Sequence, residues 1–229
     1  GLDILVIHQF SIKFAKLSAL DFVRSILVNT LNISRLVIGY DHHFGKNREG
    51  NFDQLQEYGH THNFKVKKIS QKEISDITVS STKIRKAIEK GEIIKANSYL
   101  GYNFMLTGIV VEGKNLGEKI GFPTANLHIA EIYKLIPKTG AYVVKSTINA
   151  KKVFGMMNIG FRPTVNGKNQ TIEVHFFNFD SRIYDEKIQI EVLKFLREEQ
   201  KFDSVEALKK QLAKDKKASE NYINGILFE

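Results

Sequence analysis

The hydrophobic pattern changes period once along this chain, near residue 100, and that change limits the fold more than any single motif does. Before it, short apolar runs alternate with stretches whose apolar residues recur at helical spacing. After it, runs of alternating residues follow one another with turn residues between them. The first pattern predicts an α/β unit with a parallel sheet, the second a mainly β unit of small-barrel size. With 229 residues, both can bury a core.

The near-continuous apolar run Leu2, Ile4, Leu5, Val6 and Ile7 predicts a strand covered on both faces. It opens the chain without an initiator methionine, as an interior segment would. Ser18 and Asp21 signal a helix start, followed by the stripe Phe22, Val23, Ile26 and Leu27. A strand at 36–38, a helix at 52–58 and a strand at 64–69 continue the alternation. A helix carrying Ile84, Ala87 and Ile88 stops at Gly91, and a shorter one runs to Gly101. The boundary is placed between Lys90 and Tyr102, giving units 1–96 and 97–229. Strands are then expected at 104–111, 141–148, 153–159, 171–179 and 188–195. Asp203-Ser204-Val205-Glu206 opens a last helix with Val205, Leu208 and Leu212 on one face and a crowd of lysines in its later turns.

Composition narrows the chemistry. No cysteine is present, which excludes disulfides and thiolate metal sites. A net charge of +9 suits anionic partners. No signal peptide or bilayer-length apolar run is visible, so a cytoplasmic address and no membrane partner are expected.

Four segments carry groups suited to chemistry. In Gly121-Phe122-Pro123-Thr124-Ala125-Asn126, behind Gly113, Gly117 and Lys119, glycines let backbone approach an anion. Thr124 and Asn126, two positions apart, offer a hydroxyl and a carboxamide oxygen to one side of an extended segment, towards phosphate or a hard cation. The alternative is a tight turn. Glu173 lies in the apolar strand Ile172 to Phe177, sharing a face with His175 and Phe177, and suits a general base or a solvated outer face. His175 reads as a packing or surface residue. Asn158-Ile159-Gly160-Phe161-Arg162-Pro163-Thr164 has the makings of a flap over phosphate. In the first half, Gly39-Tyr40-Asp41-His42-His43-Phe44-Gly45, on to Arg48, follows a strand, where open α/β sheets bind ligands; its adjacent histidines lack zinc-pair spacing. Ser80, Ser81 and Thr82, with Lys83 and Arg85, open a helix and suit either capping or phosphate binding.

In this order, the segments resemble the bacterial bifunctional riboflavin kinase/FMN adenylyltransferase family, over essentially the whole chain. The second half looks like its riboflavin kinase module, with 113–126 as the ATP loop, 158–164 as the flap, and a segment from Phe179 through Ile183-Tyr184 to Arg197 and Phe202 closing the barrel near the flavin. The resemblance implies a partial Rossmann-like nucleotidyltransferase domain, then a small kinase β-barrel with a C-terminal helix. It implies Mg²⁺ and ATP phosphates at Thr124 and Asn126, and Glu173 as base for the ribityl hydroxyl of riboflavin. Arg162 would stabilise charge, and Arg197 and Phe202 would contact flavin. Gly39, Asp41, Phe44, Gly45 and Arg48, with Ser80, Ser81, Thr82 and Arg85, would serve FMN adenylylation. The family's initial strand and His-x-Gly-His motif have no counterpart here, so this chain is expected to make FMN but little FAD, and a longer protein both.

Two readings compete with this one. A basic α/β domain with an aromatic-bearing barrel would also suit single-stranded nucleic acid, and a kinase for another alcohol would use the same phosphate groups. The kinase reading expects riboflavin, FMN and ATP as partners and no nucleic acid, and leaves the oligomeric state open.

Overall fold

Backbone pairing follows the change of period. The computed structural model describes residues 2–70, 73–74, 77–113, 116–164 and 167–227, without the side chains at 73, 74, 77, 116, 162–164 and 167–169. By its internal contacts the chain forms two units, Gly1–Thr78 and Val79–Glu229.

In the first unit, β1 (Arg35–Gly39) and β2 (Lys65–Ile69) pair in parallel, the one directly opposite the other from Arg35 and Lys65 onward. Parallel strands need a crossover, and α3 (Phe52–His62) supplies it. A capping box starts α3: the Asn51 side chain accepts from Gln54 N at 3.0 Å, and Gln54 Oε1 accepts from Asn51 N at 3.1 Å. Asn63 ends it in the left-handed conformation, a position asparagine tolerates. Two short helices precede β1, α1 (Ile12–Ala15) and α2 (Ala19–Phe22). As expected, Ser18 caps the second, accepting from Asp21 N at 3.1 Å. Beyond Phe22 the chain winds on as a π-helix, Val23–Thr30. Val23 and Leu27 turn inward onto Ile38, Leu55 and Phe64.

One expectation fails here. Residues 2–7 form no strand; Leu2 is 88 % and Ile7 86 % exposed. An apolar run states a preference for burial, but a strand exists only where another segment takes up its backbone groups, and composition cannot name that segment. A two-residue hairpin pair, β3 (Glu73–Ile74) and β4 (Ile77–Thr78), completes the unit.

The second unit is a closed antiparallel barrel of six strands: β5 (Phe104–Val111), β6 (Ala125–His128), β7 (Gly140–Ile148), β8 (Lys151–Thr164), β9 (Gly167–Phe176) and β10 (Lys187–Arg197). Around the barrel they run β10, β5, β6, β9, β8, β7. Five match the expected strands to within a few residues; β6 is the addition, a strand too short for alternation to reveal. Closure leaves no free edge, and period two sends alternate residues inward. Leu106, Val110, Tyr142, Val144, Met157, Ile172, Val174 and Ile190 fill the interior.

Two helical layers cover the barrel. The hairpin of α4 (Ser81–Glu89) and α5 (Ile93–Leu100) packs Ala87, Ile88 and Ala96 against Phe104 and Leu135, and Ile93 joins the barrel core. Both helices therefore lie in the second unit, ahead of the boundary drawn at residue 96 from periodicity. Asn97 stitches α5 to the strands: its amide donates to Val192 O at 2.9 Å and its carbonyl accepts from Phe104 N at 2.8 Å. A four-residue helix, α6 (Leu116–Lys119), lies in the loop ahead of β6.

On the other side α7 (Val205–Leu227) lies over β7, β8 and β10, and Ile223 and Leu212 meet Val143, Met156, Phe177 and Leu193. A buried ion pair fixes this helix. Arg197 donates through Nε to both Asp215 oxygens at 3.0 Å and through Nη2 to Oδ2 at 2.7 Å. Gln211 donates to the same carboxylate at 2.8 Å. Asp215 is 5 % exposed, so its charge is satisfied by these groups and not by water.

Asp215→Ala strands the Arg197 charge in a half-closed site and is expected to destabilise the second unit by about 3–5 kcal/mol, read by urea denaturation. A second ionic group reports on pH. Burial alone would raise the Glu191 carboxyl, but hydrogen bonds from Asn103 at 2.8 Å and Lys145 at 2.9 Å, with the lysine charge, outweigh it and hold the carboxyl below its ordinary value. The unfolded chain thus takes up this proton first as pH falls. The pair's contribution is complete above the unfolded pKa of about 4.3 and is lost as pH drops through the lower folded value. Glu191→Gln is expected to lower the melting temperature at neutral pH, with the difference closing in melts recorded at progressively lower pH.

Candidate active site

Register brings the second unit's chemistry together. Asn126 lies opposite Glu173, Glu173 opposite Asn158, Asn158 opposite Ala141, and Ala141 opposite Arg197. Residues directly opposite one another project to the same face, so these five form one row across β6, β9, β8, β7 and β10. A bulge between Phe195 and Arg197 brings Arg197 into the row. The row faces outward, beneath α7, and lines a cavity of about 270 Å³. Phe122, Met156, Phe202, Leu208 and Leu212 give that cavity an apolar wall. The Arg197 guanidinium stands 5.9 Å from the Phe202 ring.

The glycine loop meets this cavity at Thr124. A Cβ on Gly113 would lie 2.1 Å from the Asn126 carboxamide nitrogen, and one on Gly117 would lie 2.2 Å from the Phe122 carbonyl oxygen and 3.4 Å from Thr124 Oγ1. Only glycine allows the loop to lie this close to the two proposed ligands. Gly121 takes the turn with a φ of 83°. Thr124 also borders a second cavity of about 490 Å³, bounded by Glu118, Pro123, Phe179, Arg182 and Tyr184. The expected segment from Phe179 to Phe202 is thereby divided: Phe179, Ile183 and Tyr184 line the second cavity, Arg197 and Phe202 the first. Lys119 is exposed on the loop. The side chain of Arg162 lies outside the described residues.

His175, read from the sequence as a packing or surface residue, lines the first cavity and is 8 % exposed. Its Nδ1 hydrogen-bonds the Pro123 carbonyl at 2.8 Å. Burial lowers its pKa; the bond to Pro123 works the other way, and the Lys216 charge adds to the lowering. Period two placed His175 beside Glu173, but Pro123 is 52 residues away and no spacing could have named it. Asp215 was also missed, and here a signal existed. It falls on the stripe Leu208, Leu212, Ser219, Ile223 of α7, and an acid on a helix's inward face asks for a cation. Glu199, which borders the cavity, accepts from Phe161 N at 3.3 Å and ties the segment after β10 to the middle of the flap.

The first-half residues fall into two groups, one in each unit. Phe44 is buried in the first unit's core beside Phe22, its backbone bonded both ways with Gly50, so its ring anchors the loop. Gly45, with a φ of 75°, passes so close to Ala19 that a Cβ would lie 2.6 Å from its backbone nitrogen. Asp41 and Arg48 are exposed on this loop, which starts at Gly39. In the second unit Ser80 caps α4, accepting from Lys83 N at 3.3 Å, and Ser81, Thr82 and Arg85 are exposed on the first turns. Stacking on bases finds no support in β9, since Phe176 lies in the barrel core and Phe177 under α7.

A family model described as riboflavin kinase matches residues 100–223, and one described as FAD synthetase matches residues 1–83. A bifunctional riboflavin kinase/FMN adenylyltransferase of Buchnera aphidicola is 39% identical over 98% of this chain and 73% of its own length. One from Listeria monocytogenes is 39% identical over 94% of this chain and 68% of its own. A crystal structure described as a macrolide-efflux protein from Streptococcus pneumoniae superposes with a TM-score of 0.83 at 33% identity, covering 93% of this chain and 68% of that one. No helix among the described residues is long and apolar enough to cross a membrane. In sequence over both units the chain belongs to the bifunctional riboflavin kinase/FMN adenylyltransferase family.

Proposed function

We propose that the second unit transfers the γ-phosphoryl group of ATP to the terminal ribityl hydroxyl of riboflavin, giving FMN and ADP. The observation that carries this reading is Thr124, which borders both cavities, with Asn126 and Glu173 beside it on one row. A flat tricyclic ring suits the apolar cavity between Met156, Phe122 and the α7 leucines, and ATP suits the second cavity, which Glu118, Thr124 and Arg182 border. Donor and acceptor then meet at the threonine. Phosphoryl transfer asks mainly for positioning and charge stabilisation, which fits a site made of short, fixed side chains.

Glu173 accepts the hydroxyl proton as the oxygen bonds to phosphorus and the bond from phosphorus to the β,γ-bridging oxygen breaks, leaving ADP. Thr124 would donate its hydroxyl hydrogen to a phosphate oxygen and Asn126 would offer its carboxamide oxygen to Mg²⁺, while the backbone at Gly113, Gly117 and Gly121 can approach the phosphates without a Cβ in the way. These residues fit Mg²⁺: no group of three His, Cys, Asp or Glu side chains among the described residues could hold a metal ion, whereas one hydroxyl and one carboxamide match an ion that brings its other ligands from phosphates and water. When bound, Mg²⁺ would neutralise developing charge on the phosphates. Arg162 remains assigned to charge stabilisation by family resemblance. Arg197 serves the flavin from a fixed position, since Asp215 holds it in the cavity wall. The Gly39–Arg48 loop of the first unit would serve adenylylation of FMN to FAD, supported by the FAD synthetase match over 1–83. Both reactions suit a cytoplasmic enzyme.

Incubation with riboflavin, ATP and Mg²⁺, followed by chromatography of the flavins, is expected to give FMN. Glu173→Gln should reduce the rate by about 10²- to 10⁴-fold with folding intact. No FMN from folded protein, or phosphorylation of another alcohol in preference to riboflavin, would overturn the reading. Little FAD is expected in the same chromatogram, and robust FAD formation by this chain would overturn that expectation.

A further inference from the structure

The hydrogen bond between His175 and Pro123 crosses from the strand that carries the proposed base to the loop that carries the proposed phosphate ligands. The segment it holds has few other anchors of a regular kind. The β6 ladder to β9 begins at Ala125. Ahead of it, Gly121 is left-handed and Pro123 has no N–H to give a ladder. Gly121 N and Phe122 N bond to Glu118 and Gly117 carbonyls at 3.1 and 2.8 Å, which ties the loop to itself, and the Phe122 ring packs on the barrel's outer face without a directional bond. His175 supplies one, and it stands two residues from Glu173 on the same face of β9.

We propose that His175 is a positioning residue for phosphoryl transfer, holding Thr124 at a set distance from Glu173 by donating Nδ1–H to the Pro123 carbonyl. A carbonyl can only accept, so the ring carries its proton on Nδ1 and, when neutral, leaves Nε2 unprotonated. The ring itself is clamped: Phe122 and Phe177 meet it edge-on, with centroids at 5.3 and 5.7 Å. Burial and the nearby Lys216 charge favour the neutral form, which keeps a second positive charge out of the wall. A single strand thus sets both the base and the phosphate ligands, so their separation does not depend on how the glycine loop moves.

This inference rests on the proposed phosphoryl transfer, and its test separates the two. His175→Phe keeps a ring among aromatic neighbours and removes the donor; His175→Asn restores a donor near the Nδ1 position. In His175→Phe, kcat/KM for ATP is expected to fall about 10- to 100-fold, the range seen when a residue orienting a ligand is lost. Both variants should remain folded by circular dichroism, and His175→Asn should regain most of the activity. Independently of turnover, nitrogen-15 spectra of the parent should show Nδ1 protonated and Nε2 not, and calorimetry should show Mg–ADP bound more weakly by His175→Phe than by His175→Asn. An Nε2-protonated ring, a fully active His175→Phe, or equal losses in both variants would overturn the proposal. If the parent makes no FMN, the function reading fails, and the ring tautomer with the Mg–ADP titrations still decides the role of His175.

Discussion

Barrel closure is the constraint from which the second unit's other features follow. Once six strands close, each residue is assigned to the inside or the outside, and a slip of one position would exchange the two. Ile172, Val174 and Phe176 go in, so Glu173, His175 and Phe177 go out. The same register aligns Asn126, Asn158, Ala141 and Arg197 with Glu173. Packing the core therefore also aligns the row of strand residues that lines the cavity. Apolar residues supply the free energy, and polar residues are carried to their places by it.

An outward face would ordinarily be open to solvent, and α7 encloses part of this one. The helix converts the outer face of β7, β8 and β10 into a cavity wall, with Leu208 and Leu212 on one side and the strand row on the other. Arg197 and Asp215 fix its seat with directional bonds, which leucine contacts alone do not provide.

Much of this was legible in the sequence, and the unread part has a common cause. Period two identified five strands and the face of Glu173; helical spacing and capping residues identified α3, α4 and α7. The glycines, Thr124 and Asn126 stood out by residue type, and the structure brings them together beside one cavity. What escaped depends on partners distant along the chain: the absence of any ladder at residues 2–7, the short strand β6, and the bonds of His175 to Pro123 and Arg197 to Asp215. Period and contacts draw the boundary at different places, because α4 and α5 look like the α/β unit in pattern and pack with the barrel in space.

The order of these elements along the chain sets the order in which a ribosome would release them. All six barrel strands leave the exit tunnel before α7, so a nascent chain can close its barrel while the face bearing Glu173 is still bare. Met156, Phe177 and Leu193 would then meet water, or a chaperone, until the helix arrives. Competence for substrate would come with the last segment synthesised in this unit and not with the fold that precedes it.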